Sequence, residues 1–153
     1  APLAARIPFA ILLGLVLMSN KGLKPQWVEK DAAQYAGEYV LHEADPKDPY
    51  RFTVSKIALK HTPKGWTATY TTGVQRDGDD QSKHSADLKN VKVEGGAFSA
   101  DPVAERKKWP GYVPSDGFHG LFAIESPPDN AKGPVHHGLE LTPDRKFFRR
   151  LGP

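Results

Sequence analysis

No cysteine occurs in the 153 residues. That excludes disulfides, thiolate catalysis, cysteine-ligated zinc, iron–sulfur clusters and covalent c-type haem. It also excludes a lipid attached through a lipobox cysteine. Phosphate loops are missing too: neither Gly-x-x-x-x-Gly-Lys nor Gly-x-Gly-x-x-Gly is present. Serines occur, but none sits in a Gly-x-Ser-x-Gly elbow. No cofactor is therefore implied. Excess charge of either sign is small, a formal +3. Such a balance suits acidic neighbours or lipid headgroups at most. It falls short of the concentrated basic footprint of a nucleic-acid binder, so no nucleic-acid partner is expected.

Long apolar runs are scarce, with one exception. Residues 7–18 read IPFAILLGLVLM and carry no charge. Ile7, Phe9, Ile11, Leu12, Leu13, Leu15, Val16, Leu17 and Met18 are the anchor residues of this stretch. Pro8 sits where a helix would start, where a missing N–H does no harm. As a helix the run rises about 18 Å, against a hydrocarbon core of about 30 Å. Counted over residues 1–20 it reaches about 30 Å if Arg6 snorkels to an interface. The stretch is thus a signal-peptide core or a short membrane anchor. Length alone favours the signal. The residues after it argue for an anchor, because Leu17-Met18-Ser19 and Asn20-Lys21-Gly22 are poor small-x-small cleavage sites. Basic residues on the two sides nearly balance, and long domains translocate largely regardless of charge. The expected arrangement is a single-pass anchor with the rest of the chain on the periplasmic or other extracytoplasmic side.

The domain plan is a 1–20 anchor, a 21–36 linker and a 37–153 antiparallel β domain. Residues 24–34 are read as a short helix, with Pro25 near its start and Trp27, Val28 and Ala32 along one side, or as a linker with one helical turn. Fourteen prolines and fourteen glycines are scattered between the apolar runs, as turn residues are in a β protein. From Gly37 the apolar period is about two. Strands are expected over 37–43, 51–60, 65–72, 85–94, 97–100, 117–125, 135–142 and 146–151. Residues 44–49 read as irregular loop. A phase slip between Val54 and Ile57 suggests a bulge. In 65–72, Trp66, Ala68 and Tyr70 should share one face. Asp77-Gly78 signals a hairpin. About eight short strands joined mostly by short turns predict an antiparallel barrel or sandwich preceded by one apolar helix.

At 31–40 a short helix precedes Gly37-Glu38-Tyr39, and the last strand is basic (KFFRRL, 146–151). This resembles the entry to lipocalin or calycin barrels, where Gly-x-Trp opens the first strand and a basic residue near the last strand stands against the opening aromatic. Arg149 or Arg150 would take that place. Tyr39 replaces the tryptophan, and the family's central motifs are missing. The resemblance implies an eight-stranded barrel and a ligand cavity.

Candidate chemistry is sparse. His136 and His137 are neighbours on a strand and point to opposite faces; a His119–His137 metal pair is the remaining option. Asp77, Asp79 and Asp80 lack the further ligands of a calcium loop, and read as a solvated hairpin tip. Glu38, Glu43, Glu125 and Glu140 are strand carboxylates with nothing in sequence to pair them. Residues 101–116 form a loop long enough to be functional or partner-facing. It holds Arg106, Lys107 and Lys108 beside Trp109 and Tyr112, cations next to aromatic anchors. A second basic cluster, Arg145, Lys146, Arg149 and Arg150, ends the chain. Both clusters also read as solvated charge that protects strand edges.

Two functions fit these features. The first is a non-catalytic, membrane-anchored accessory subunit of a larger membrane assembly, respiratory or photosynthetic in kind. Its partners would be other subunits and the bilayer, with Arg106–Tyr112 as docking loop. The second is a secreted or periplasmic lipocalin-like carrier, with Trp66, Tyr70, Phe122 and Ile124 lining an apolar cavity.

Overall fold

The computed structural model describes residues 27–125 and 135–152. The expected anchor, Ile7 to Met18, lies outside them. So does the start of the predicted linker helix. Among the described residues no helix is long and apolar enough to cross a membrane.

Among the described residues nine strands form one antiparallel sheet: β1 (Gly37–Asp45), β2 (Asp48–Thr62), β3 (Gly65–Arg76), β4 (Asp79–Asp87), β5 (Lys92–Glu94), β6 (Ala97–Ala100), β7 (Phe118–Glu125), β8 (His136–Leu141) and β9 (Lys146–Arg150). Their order is β4-β3-β2-β1-β9-β8-β7-β6-β5. Two meanders, β1–β4 and β5–β9, therefore meet at the β1–β9 seam. The sheet curls into a half-barrel, and its connections require this. Laid flat, nine strands would set the two edges about 38 Å apart. Residues 88–91 join edge strand β4 to edge strand β5, a connection that reaches at most about 17 Å. The Leu88 N–H donates to Ala68 O at 2.8 Å, and the Asp101 N–H to Lys89 O at 2.9 Å, tying that connection to both sides.

Several expectations change. Nine strands replace eight. The predicted helix is a 3-10 turn, Ala32–Tyr35, capped by the Asp31 carboxylate accepting from the Ala33 N–H. The expected loop 44–49 is a tight hairpin: β1 runs to Asp45 and β2 starts at Asp48. The register through Val54 and Ile57 is continuous, so the predicted bulge is absent there; shifts fall instead at Ala44/Asp45 and Val74/Gln75. The slip in apolar phase has another cause. Ser55 takes an inward position that an apolar residue would normally fill, and it is buried. Asp77-Gly78 does make the β3–β4 turn, with φ of 53° and 81°. Both central residues of a type I′ turn need positive φ, hence the Asp-Gly pair.

Inward side chains from both meanders make one core. Tyr39, Ile57, Leu59, Ala68, Tyr70, Phe98, Phe118, Phe122, Leu139, Leu141 and Phe148 belong to it. The rings pack edge to face: Tyr70 against Phe118 at 4.8 Å and Trp27 against Phe122 at 5.6 Å between centroids. The segment before β1 packs onto this core. There Tyr35 stacks on Phe122 at 4.1 Å. Its hydroxyl donates to Trp27 O at 2.9 Å and accepts from the Glu29 N–H at 2.8 Å. The Tyr39 hydroxyl donates to Tyr35 O.

Candidate docking surface

Residues 101–117 leave β6 and return to β7 across the inner side of β3. The Tyr70 hydroxyl donates to Tyr112 O. The Gly111 N–H donates to Thr72 Oγ1 at 3.3 Å. A Cβ at Gly111 would lie 3.0 Å from Thr72 Cβ, so the backbone presses directly onto the strand. Thr72 and Ser55 are buried beneath it. Burial drives the hydroxyls of Tyr39 and Tyr70 well above the ordinary tyrosine range. Tyr112 is raised as well, first by burial and then by the Asp144 carboxylate that accepts its proton at 3.0 Å.

The docking residues expected from sequence separate into two groups. Trp109 is 7% exposed. Its ring lies 5.5 Å from Tyr70 and 4.4 Å from His84, and its Nε1–H donates to Ala104 O at 3.3 Å. Tyr112 is half-buried, its ring beneath Lys146 Nζ at 5.6 Å. These two aromatics hold the loop to the barrel. Arg106, Lys107 and Lys108 form a 3-10 turn, all three exposed. The turn begins at Glu105, whose φ of 52° and ψ of 44° are left-handed, an uncommon conformation for a residue with a Cβ. Lys108 closes back on it, N–H to Glu105 O at 2.9 Å and Nζ to the carboxylate at 3.1 Å. Among the described residues Arg106 and Lys107 make no ion pair.

The strand carboxylates find cations. Glu38 pairs with Lys56 at 3.5 Å, Glu43 with Lys146 at 2.7 Å, Glu125 with Arg149 at 3.0 Å and Glu140 with Arg145 at 3.2 Å. Each is a cross-strand or turn contact. His119 points outward and accepts or donates at Asp116 O, 3.2 Å away. His137 faces inward, 5.0 Å from the Trp27 ring. On opposite faces of the sheet, the two cannot share an ion. Among the described residues no group of histidines and carboxylates has metal-site spacing.

Two features are not legible in the sequence. Tyr50 and Phe52 stand 60% and 40% exposed on β2 where it outruns the core. Their alternation is visible, but residues 44–49 read as irregular. The second is the bracing by Arg150. Its Nη2 donates to Gln34 O at 3.1 Å and Ala36 O at 2.8 Å, and its guanidinium lies over the Trp27 ring.

Comparison of the chain with protein-family models, curated proteins and solved structures finds no match.

Proposed function

We propose that the β domain is a non-catalytic docking module of a larger membrane assembly. One observation carries this reading: the concave side of the sheet is filled with rings. Tyr39, Tyr70, Phe118, Phe122 and Phe148 are each fully buried there, so binding falls to the outer surface. The Arg106–Lys108 turn offers two cations that make no ion pair among the described residues, on a base clamped by Trp109, a pre-organised patch for an acidic protein face. Tyr50 and Phe52 add exposed aromatic area elsewhere on the surface. Anchoring through Ile7–Met18 belongs to the same proposal.

The test is native electrophoresis of mildly solubilised membranes. The chain should migrate with a large complex. Arg106→Glu with Lys107→Glu should release it while leaving its unfolding midpoint unchanged. Migration as a free small protein would end the docking reading.

The carrier reading keeps one supporting observation: Arg150 stands opposite Tyr39 in the β1–β9 register, the place the lipocalin resemblance implies for a basic residue of the last strand. Its requirement of an apolar cavity is opposed by the same packed rings. Trp66 and Ile124 are partly buried, packed against the core cluster.

A further inference from the structure

β1 is paired unevenly. It runs against β2 along all nine of its residues, but against β9 only at Tyr39↔Arg150 and Val40↔Arg149. The Leu151 N–H adds one bond, to Glu38 O at 2.8 Å. That bond fixes which backbone groups face the seam. Antiparallel ladders alternate, so Glu38 and Val40 face β9, and the N–H and C=O of His42 and Ala44 face the same way. On β9 the corresponding groups belong to Phe147. Among the described residues none of these three has a backbone partner across the seam.

The strands diverge instead, and a cleft of 550 Å³ opens between them. Val40, His42, Phe147, Arg149 and Leu151 line it. The Glu43–Lys146 ion pair bridges its inner side at 2.7 Å. The cleft therefore opens outward.

The other two edges of the sheet differ from this one. β4 carries Asp79, Asp80, Lys83 and Asp87 along its length, and β5 is three residues long with Lys92 and Glu94 at its ends. Both are short or charged, the usual defences against added strands. Along β1 beyond the seam, Val40, Leu41, His42 and Ala44 stand beside Glu43 and Asp45, whose charges are matched by Lys146 and Arg51, and exposed Leu151 lies next to them. The cations that line the cleft are already matched: Arg149 by Glu125, Lys146 by Glu43 and Arg145 by Glu140. Nothing there selects a strongly charged ligand. What lacks a partner is backbone.

We infer that this cleft receives an extended peptide segment of a partner protein, which adds as a strand to β1 between Val40 and Ala44. Main-chain bonds to His42 and Ala44 supply the affinity. Alternate side chains of the guest, uncharged and apolar, pack against Phe147, Val40 and Leu151. The inference rests on the docking reading and names where one partner would bind.

The test uses the full chain and a displayed library of short random peptides. Selected peptides should be rich in apolar and β-branched residues. On binding they should slow amide hydrogen exchange at His42, Ala44 and Phe147 and leave β4 unchanged. N-methylation of alternate peptide amides should weaken binding about tenfold or more in one of the two phases and little in the other. This arm needs no protein variant. Ala44→Pro removes a donor that faces the cleft and not β2, so it should abolish capture while β1–β2 pairing persists. Failure to select any peptide, protection at β4 or at Arg106–Lys108 instead, or slow exchange at His42 and Ala44 in the free chain would each overturn the inference. In membranes, an Ala44→Pro chain that stays in its complex overturns the cleft alone. A wild-type chain that runs free removes the docking reading, whatever the peptides do.

Discussion

The Arg150 guanidinium lies 5.1 Å from the centroid of the Trp27 ring and donates to the carbonyls of Gln34 and Ala36. One residue near the end of the last strand thereby holds the segment that enters the first. The two carbonyls lie at the C-terminal end of the 3-10 turn, where helix-end acceptors need partners. Charge-assisted bonds of this kind are worth about 1.5–3 kcal/mol, and the contact with the ring adds about 0.5–1 kcal/mol. Arg150→Met should lower stability by about 2 kcal/mol or more and redden Trp27 emission. Arg150→Lys should recover only part of this, since an ammonium cannot match the planar fork and its stacking. Chemical denaturation followed by fluorescence would measure both.

Trp109→Ala should cost about 3–5 kcal/mol, the range for emptying a large buried ring. It should also free the Arg106–Lys108 turn, which trypsin would then cut faster. Lys107→Ala should do neither. Equal stability in the two variants would contradict the placement of Trp109 in the core.

Gly138→Ala tests space rather than backbone freedom. A Cβ there would lie 2.5 Å from Phe147 Cζ and against the Phe148 carbonyl. The ring can swing away but the carbonyl belongs to the β8–β9 ladder, where Gly138 stands opposite Arg149. Overpacking of this sort costs about 1–3 kcal/mol. A lowered denaturation midpoint is expected, with the m-value unchanged.

Alkaline pH should unfold the protein through its buried tyrosines. In the folded chain the hydroxyls of Tyr39 and Tyr70 titrate above the unfolded value, which is about 10. The native state therefore holds protons that the unfolded state releases. Stability from this source is complete below about pH 10 and falls as pH rises beyond it. Urea midpoints should be flat from about pH 7 to 9 and drop by about pH 11. Tyr70→Phe should start lower, having lost the bond to the Tyr112 carbonyl, but should decline less steeply.

Local chemistry made much of the fold legible. The Ala97–Ala100 strand, the Asp77-Gly78 turn and the inward set Trp66, Ala68 and Tyr70 all depend on neighbours in sequence. What escaped depends on distant chain. Ser55 reads as a break in phase because its cover, Gly111, comes 56 positions later. Trp109 reads as a surface anchor because its neighbours Tyr70 and His84 belong to strands it meets only after a long excursion. The candidate surface was legible in its charges, Arg106 to Lys108, and not in its aromatics. Tyr50 and Phe52 were hidden by two prolines and two aspartates that nonetheless sit in and around a tight hairpin.

The β1–β9 seam also sets an order of events during synthesis. Every other pairing in the sheet joins strands that are consecutive in the chain, and each can form as soon as its second strand emerges. β1 is made first and waits for a neighbour that is made last. Until residues 146–151 leave the ribosome, its inner edge stands open and Arg150 has not reached Trp27. Loss of the last few residues would remove the one strand pairing that joins the two meanders, and a nascent chain paused there would expose the unpaired edge of β1 to chaperones.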